Sequence, residues 1–372
     1  MPNQTPLLHL HRQVGARITE FAGWEMPLSY SGILAEAKAV RSSAGLFDIS
    51  HMGRLDVSGP DAAKLLAIST VNDVDALQVG RGHYSLVLNE AGGVVDDVIL
   101  LRIDSDRYLL VTNAINLGAV HARLAQTPVA SAQVHDQTLG QAMLALQGPA
   151  AADVLGAVAG TQITALPYFG AARIEVAGVD CLVSRTGYTG EDGFELVCSA
   201  AHAEQLWKAL LSFPSVVPCG LGARDVLRLE AGYPLYGHEI NESTNPFEAR
   251  LGWVVRSKSQ FVGRQALESA GLLAANGAPQ KQPERRLVGL RPSTRSVPRQ
   301  GDLIEYQGEL VGQITSGTFS PNLNASLAMG YVPTPLSSPG TVFTIRSGAK
   351  TQDAVASTLP FGSFGRARKR KE

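Results

Sequence analysis

The sequence predicts an α+β protein: two related antiparallel-sheet units in succession, then a C-terminal β barrel. Two observations carry the first part. Residues 55–67 read LDVSGPDAAKLLA and residues 144–156 read LALQGPAAADVLG. Both run strand, Gly-Pro, then an alanine-rich apolar helix, with Pro60 and Pro149 at first helical positions. Further on, DRYLLV at 106–111 echoes DGFELV at 192–197 at a nearly equal offset. Each unit is expected to be a small antiparallel sheet with helices on one face. A third observation carries the barrel. From Arg285 onward, short alternating segments such as RLVGLRP, GELVGQITSG and GTVFTIR are divided by turns, and helical periodicity is nearly absent.

The remaining elements follow in order. Residues 5–14 predict a short helix, with Pro6 in its first turn. Residues 21–30 predict a strand or loop around Gly23, and residues 33–43 an amphipathic helix. Residues 46–55 (LFDISHMGRL) open an alternating segment containing His51 and Met52. On residue type alone, a lone histidine reads as structural and a lone methionine as core.

Residues 89–99 (NEAGGVVDDVI) turn at Gly92 and Gly93 and start a strand carrying Asp96 and Asp97. Strand alternation sends these carboxylates to opposite faces. Either they form a solvated strand end, or one is a site group beside a ligand or second backbone admitted by the glycines. Residues 184–195 (SRTGYTGEDGFE) predict a long hairpin loop. No GxxxxGK[ST] or strand-to-helix GxGxxG occurs, which argues against a nucleotide-dependent kinase or a dinucleotide dehydrogenase. Glu195 returns into a strand. Residues 203–211 predict a helix, and residues 220–232 (GLGARDVLRLEAG) another, closed by glycine. Arg224 and Arg228 share a face of it. On spacing alone, both arginines read as partners in structural salt bridges. The polar, turn-rich stretch 233–253 is long for a connection, and 271–284 reads as a linker.

Composition sets the bounds. The chain has 372 residues, 45% of them hydrophobic, and a formal net charge of −1, which suits two to three globular domains. Near-neutral charge removes the electrostatic case for nucleic acid. The basic tail at 366–371 reads as a solvated end. Cys181, Cys198 and Cys219 have no metal-ligand spacing, so no metal is expected. There is no long apolar run and no signal-peptide pattern, so no membrane association is expected and the cytoplasm is the predicted location.

Taken together, FAGWEMP, LFDISHMG, NEAGGVVDD, LALQGP, GYTGEDGFE, GLGARDVLRLEAG, LYGHEI, NPFEARLGW and ITSGTFSP resemble the glycine cleavage T-protein family, the aminomethyltransferases. The motifs run in family order from Phe21 to Phe361. The resemblance implies a three-domain cloverleaf around a central folate site, with a jelly-roll-like barrel last. It implies a discontinuous folate-binding domain at 1–50 plus 140–270, a second domain at 51–139 carrying Asp97, a linker at 271–284 and the barrel at 285–372. The activity implied is transfer of a methylene from the aminomethyl-lipoyl arm of H-protein to tetrahydrofolate. Carried over by motif, Asp97 is the implied catalytic carboxylate, and Glu195 and Arg224 contact folate. Met52, Tyr84, Tyr168 and Tyr236 are implied neighbours of the ligand. At the C-terminus the chain departs from the family pattern, and Arg366 is the nearest match to a folate-reaching residue. The chemistry suits these types: a carboxylate accepts a paired pterin N–H and NH₂, arginine binds folate oxygens, and a fixed anion stabilises an iminium-like carbon. Two alternatives share the fold. One is a folate-dependent demethylase of a small methylated substrate. The other is a non-enzymatic folate-binding iron–sulfur assembly factor, disfavoured because RTGYTGED lacks the cysteine such proteins use.

Overall fold

In the computed structural model, residues 1–365 are described; Arg366 therefore lies outside the described residues. The two echoed segments fold alike. Gly53–Ser58 and Gln141–Gln147 are strands, each followed through a positive-φ glycine (Gly59, Gly148) by the helices Ala62–Ser69 and Ala151–Ala159. A side chain at either glycine would collide with backbone, Ser131 O or Ser43 O, so glycine is required at both turns.

The duplication extends to topology. One sheet has five strands, in the order Arg81–Leu88, Val94–Asp104, Arg107–Thr112, Gly53–Ser58 and Gln133–Asp136. The other has six, in the order Ala171–Val176, Val179–Ser184, Gly193–Ser199, Gln141–Gln147, Ala44–Asp48 and Val216–Cys219. In both, a three-strand meander returns its last strand against the strand that opens the unit. Within these two sheets one strand departs from the antiparallel expectation: Val216–Cys219 runs parallel to Ala44–Asp48. The helix Ala203–Leu211 carries the chain across, burying Ala203, Leu206, Trp207 and Leu210 at helical spacing.

Each sheet has helices on one face and the other sheet on its second face. The six-stranded sheet buries Leu144, Leu196 and Val183 against Leu155 and Leu206. The five-stranded sheet buries Leu100 and Leu110 against Leu66 and Val120. Their inner faces share one core of Phe47, Ile49, Leu101, Val111, Met143 and Val197. The sheet edges also meet, with Gly82 N donating to Phe169 O at 2.7 Å and Ala171 N to Gly80 O at 2.8 Å.

Residues 285–357 form the closed barrel, six antiparallel strands around Val288, Leu290, Ile304, Phe343 and Ile345. The helix Leu221–Glu230 joins all three layers: Ala223, Val226 and Leu227 enter the inter-sheet core, and Leu229 packs on Leu287, Leu327 and Met329 of the barrel.

Candidate active site

The strand Val94–Asp104 alternates as expected. Asp97 lies on the side of Ile99 and Leu101, toward the inter-sheet core, while Asp96 lies on the side of Val98 and Leu100, toward the helices. Gly93 admits a second backbone: a Cβ there would lie 1.8 Å from Glu242 O. That contact lets Val94 N reach Asn241 O (3.1 Å) and Thr244 O (3.0 Å), and it ties residues 241–244 to the strand.

Asp97 is held on both oxygens. Tyr84 Oη donates to Oδ2 at 3.0 Å and Asn113 Nδ2 to Oδ1 at 2.7 Å. Burial raises the carboxyl above its ordinary range, opposed by these two bonds and by the Arg224 charge. Tyr84 is in turn raised well above a normal phenol, by burial first and then by the Asp97 charge. Trp253, largely exposed, stacks on the Tyr84 ring at 6.1 Å.

Glu195 is buried on the inner face of Gly193–Ser199 and accepts from Thr186 Oγ1 at 2.5 Å. Burial raises its carboxyl, and Thr186 and the Arg224 charge pull it back. Its loop is anchored by Gln147, which donates to Thr186 O (3.0 Å) and accepts from Thr189 Oγ1 (2.9 Å). Gly187 and Gly193 pack on that amide so closely that a Cβ at either would overlap it.

Arg224 lies within electrostatic reach of both carboxylates. Burial lowers its proton affinity, and Glu195, Tyr188 and Asp97 raise it in that order. Its guanidinium lies over the Tyr188 ring at 4.7 Å from the centroid. Among the described residues it has no ion-pair partner, and its buried Nη1 has no hydrogen-bond partner. The salt-bridge expectation therefore holds for Arg228 alone, which meets Asp225 and Glu239, each at 2.8 Å. An unsatisfied buried guanidinium N–H beside two carboxylates suits a ligand that supplies an oxygen acceptor.

Met52 sits in the turn after Ala44–Asp48 and packs on the inter-sheet core. Arg54, wholly buried, braces that turn through Met52 O (2.5 Å) and Ser50 O (3.0 Å). His51 beside it is buried, edge-on to Phe21, with Nδ1 unpartnered. Burial first and the Arg224 charge second push it down to about 3, so it is neutral. Tyr236 packs with Tyr84 on one apolar cluster. Tyr168 lies edge-on to Phe169, whose backbone bonds both Gly82 and Arg185. Asp97, Tyr84, Arg224 and Glu195 are thus brought into mutual contact or electrostatic reach.

Asn113 and Tyr188 join this group without having been singled out from sequence. Tyr188 stands within GYTGEDGFE, and Asn113 in TNAIN just ahead of the helix Leu117–Gln126. A separate groove of about 820 Å³, between residues 237–248 and the barrel, includes none of the expected site residues. Among the described residues, no group of three His, Cys, Asp or Glu side chains is placed to hold a metal ion, and no helix is long and apolar enough to cross a membrane.

Duplicated sheets facing one another, with half-buried Asp97 and buried Glu195 on their inner faces and Arg224 on the helix that joins them to a barrel, define an α+β protein of two related sheet units and a C-terminal barrel. Residues 7–259 match the GCVT N-terminal domain and residues 285–362 the glycine cleavage T-protein C-terminal barrel domain. The chain belongs to the glycine cleavage T-protein family. It is 44% identical to an aminomethyltransferase of Streptomyces avermitilis over 369 residues, covering 97% of each chain. It is 40% identical to an aminomethyltransferase of Thermotoga maritima, covering 96% of this chain and 97% of that one. The crystal structure of the glycine cleavage system aminomethyltransferase T from Bartonella henselae superposes with a TM-score of 0.90 at 39% identity, covering 98% and 99% of the two chains.

Proposed function

We propose that this chain is the tetrahydrofolate-dependent aminomethyltransferase of glycine cleavage. It transfers the methylene of aminomethyl-lipoyl H-protein to tetrahydrofolate, giving 5,10-methylenetetrahydrofolate, ammonia and the dihydrolipoyl arm. Family membership over nearly the whole chain supports the reaction class, and it favours neither the demethylase nor the iron–sulfur alternative. The observation that carries the site is the buried, unpartnered Arg224 Nη1 within electrostatic reach of Asp97 and Glu195.

In this reading, Glu195 accepts the pterin N–H groups and Arg224 donates to a folate oxygen. Asp97, fixed by Tyr84 and Asn113, offers its negative charge where the transferred carbon becomes iminium-like. Met52, Tyr84, Tyr168 and Tyr236 supply apolar and aromatic walls. The folate domain comprises 1–50 plus 140–270, the Asp97 domain 51–139 and the barrel 285–372, joined by 271–284. Three free cysteines fit a reducing compartment, the cytoplasm.

The test is turnover of purified protein with tetrahydrofolate and aminomethylated H-protein. Equal yields of ammonia and methylenetetrahydrofolate are expected. Folded protein that releases no ammonia above the uncatalysed rate would refute the reading.

A further inference from the structure

Asp96 and Asp97 face different layers yet share one amide. Asp96 is wholly buried; its Oδ1 accepts from Asn113 Nδ2 (2.8 Å) and Asn116 Nδ2 (2.7 Å), and its Oδ2 from Asn113 N (3.0 Å). The same Asn113 Nδ2 donates to Asp97 Oδ1 (2.7 Å). A primary amide has two N–H bonds, and here their acceptors are one carboxylate oxygen of each aspartate, with the Asp97 carbonyl oxygen at 3.2 Å. The direction of Asn113 is therefore set by both aspartates together.

These partners of Asp96 are all N–H donors. A protonated Asp96 would need an acceptor for its own O–H, so the surroundings are those of an anion. Burial and then the Asp97 charge raise its affinity for a proton well above that of an ordinary carboxyl, and the three donors offset this only in part. Its charge also reaches Tyr84 and Tyr236, and Arg224 acts on Asp97 from the opposite layer. A buried charge is a poor device for stability alone. Here it has a defined effect on a neighbour.

We propose that Asp96 is a positioning residue for the reaction at Asp97: a buried carboxyl that accepts from Asn113 and Asn116, it fixes the Asn113 amide, which in turn fixes the rotamer of Asp97. This rests on the aminomethyltransferase reading above. It also revises what strand alternation alone suggests, namely that Asp96 matters to stability and not to turnover.

Asp96→Asn keeps the shape but presents an NH₂ to a cradle of donors, so Asn113 must turn. A misplacement of about 1 Å in a reacting geometry costs about 100-fold in rate, so a fall in kcat of about 10- to 100-fold is expected. The KM for tetrahydrofolate should change little, because Glu195 and Arg224 stay in place. Asn116→Ala removes a single donor from Asp96 and leaves Asn113 intact, so a smaller loss of kcat is expected. A third readout is independent of activity: the side-chain amide resonances of Asn113, assigned with Asn113→Ala, should move in both variants. Wild-type protein that shows no turnover overturns the functional reading. Active wild type, with kcat per folded molecule and the Asn113 amide both unchanged in the two variants, overturns the positioning role.

Discussion

Arg224 and Arg228 lie one turn apart on Leu221–Glu230, and they have opposite environments. Arg228 is closed on Asp225, Glu239, Tyr233 O and Ser316, whereas Arg224 lies over the Tyr188 ring and its Nη1 is unpaired among the described residues. Substitution should separate them. Arg228→Met leaves the Glu239 carboxylate buried without its cation and should cost about 3–5 kcal/mol of stability. Arg224→Met removes an unsatisfied group, so stability should change little. Loss of a charged hydrogen bond to folate should instead weaken binding by about 10- to 100-fold. Chemical denaturation and folate titration on both variants check this. Equal destabilisation by the two would mean that Arg224 is structural.

Gly93→Ala tests the junction between the Asp97 strand and residues 241–244. The added methyl meets Glu242 O at 1.8 Å, a backbone atom that cannot swing aside. The expected destabilisation is about 1–3 kcal/mol, by the cost of overpacking. Gly15→Ala is the control for generic glycine replacement, since nothing lies within 4 Å of the position although its φ is +74°. Both can be read by thermal melting, and the Gly93 variant should be the one that also loses turnover.

Much of the fold was legible because its signals are local. Gly59-Pro60 and Gly148-Pro149 each need a positive-φ glycine before a helix, and that need leaves the same short signature twice. The stacking of the two inner sheet faces leaves no such mark, since Leu101 and Met143 meet only in three dimensions. The parallel strand Val216–Cys219 was illegible for the same reason: strand direction is decided by where the preceding helix lands. At the site, residue spacing gave Arg224 and Arg228 the same expectation, and only the resemblance set Arg224 apart. Asn113 was missed because nothing in the spacing of TNAIN marks it. Its role here comes from two carboxylates on a neighbouring strand.

His51 predicts a pH effect on stability. Its folded-state value is lowered from 6.5 to about 3, by burial first, so the folded protein holds it neutral. The unfolded chain takes up a proton below 6.5, and the folded protein does not. Stability from this group is complete above pH 6.5 and is lost as pH falls toward about 3, at up to about 1.4 kcal/mol per pH unit. In urea denaturation series, His51→Leu should show a shallower loss of stability between pH 6.5 and 4 than wild type. Parallel curves would exclude the effect.

Asp97→Asn keeps the shape of the carboxylate and removes its charge. If that charge stabilises a cationic transition state, turnover should fall by the equivalent of about 2–4 kcal/mol. Folate affinity should fall less, because Glu195 and Arg224 remain. Single-turnover ammonia release and folate titration on the same preparation separate the two effects. Full activity in the variant would leave alignment of the reactants as the source of the rate.

Tyr84→Phe removes the donor on Asp97 Oδ2 and keeps the ring that stacks on Trp253. The hydrogen bond from Tyr84 is the largest of the influences lowering the Asp97 carboxyl, against burial, which raises it. Without it the carboxyl rises further. If Asp97 acts as an anion, its active form is present above its folded-state value and is lost as pH falls through that value. The acid limb of kcat/KM should therefore move to higher pH in the variant. At neutral pH a loss of about tenfold is expected, the rate equivalent of roughly 1.4 kcal/mol and of the size of one hydrogen bond to a charged group. Raising the pH should recover part of that loss, since the remaining Asn113 bond still orients the ionised side chain. Asn113→Ala should not be rescued in this way, because it removes orientation as well as charge stabilisation. A full kcat/KM profile on wild type and both variants distinguishes these outcomes. An acid limb that stays in place in Tyr84→Phe would show that Asp97 is not the group whose ionisation controls the rate.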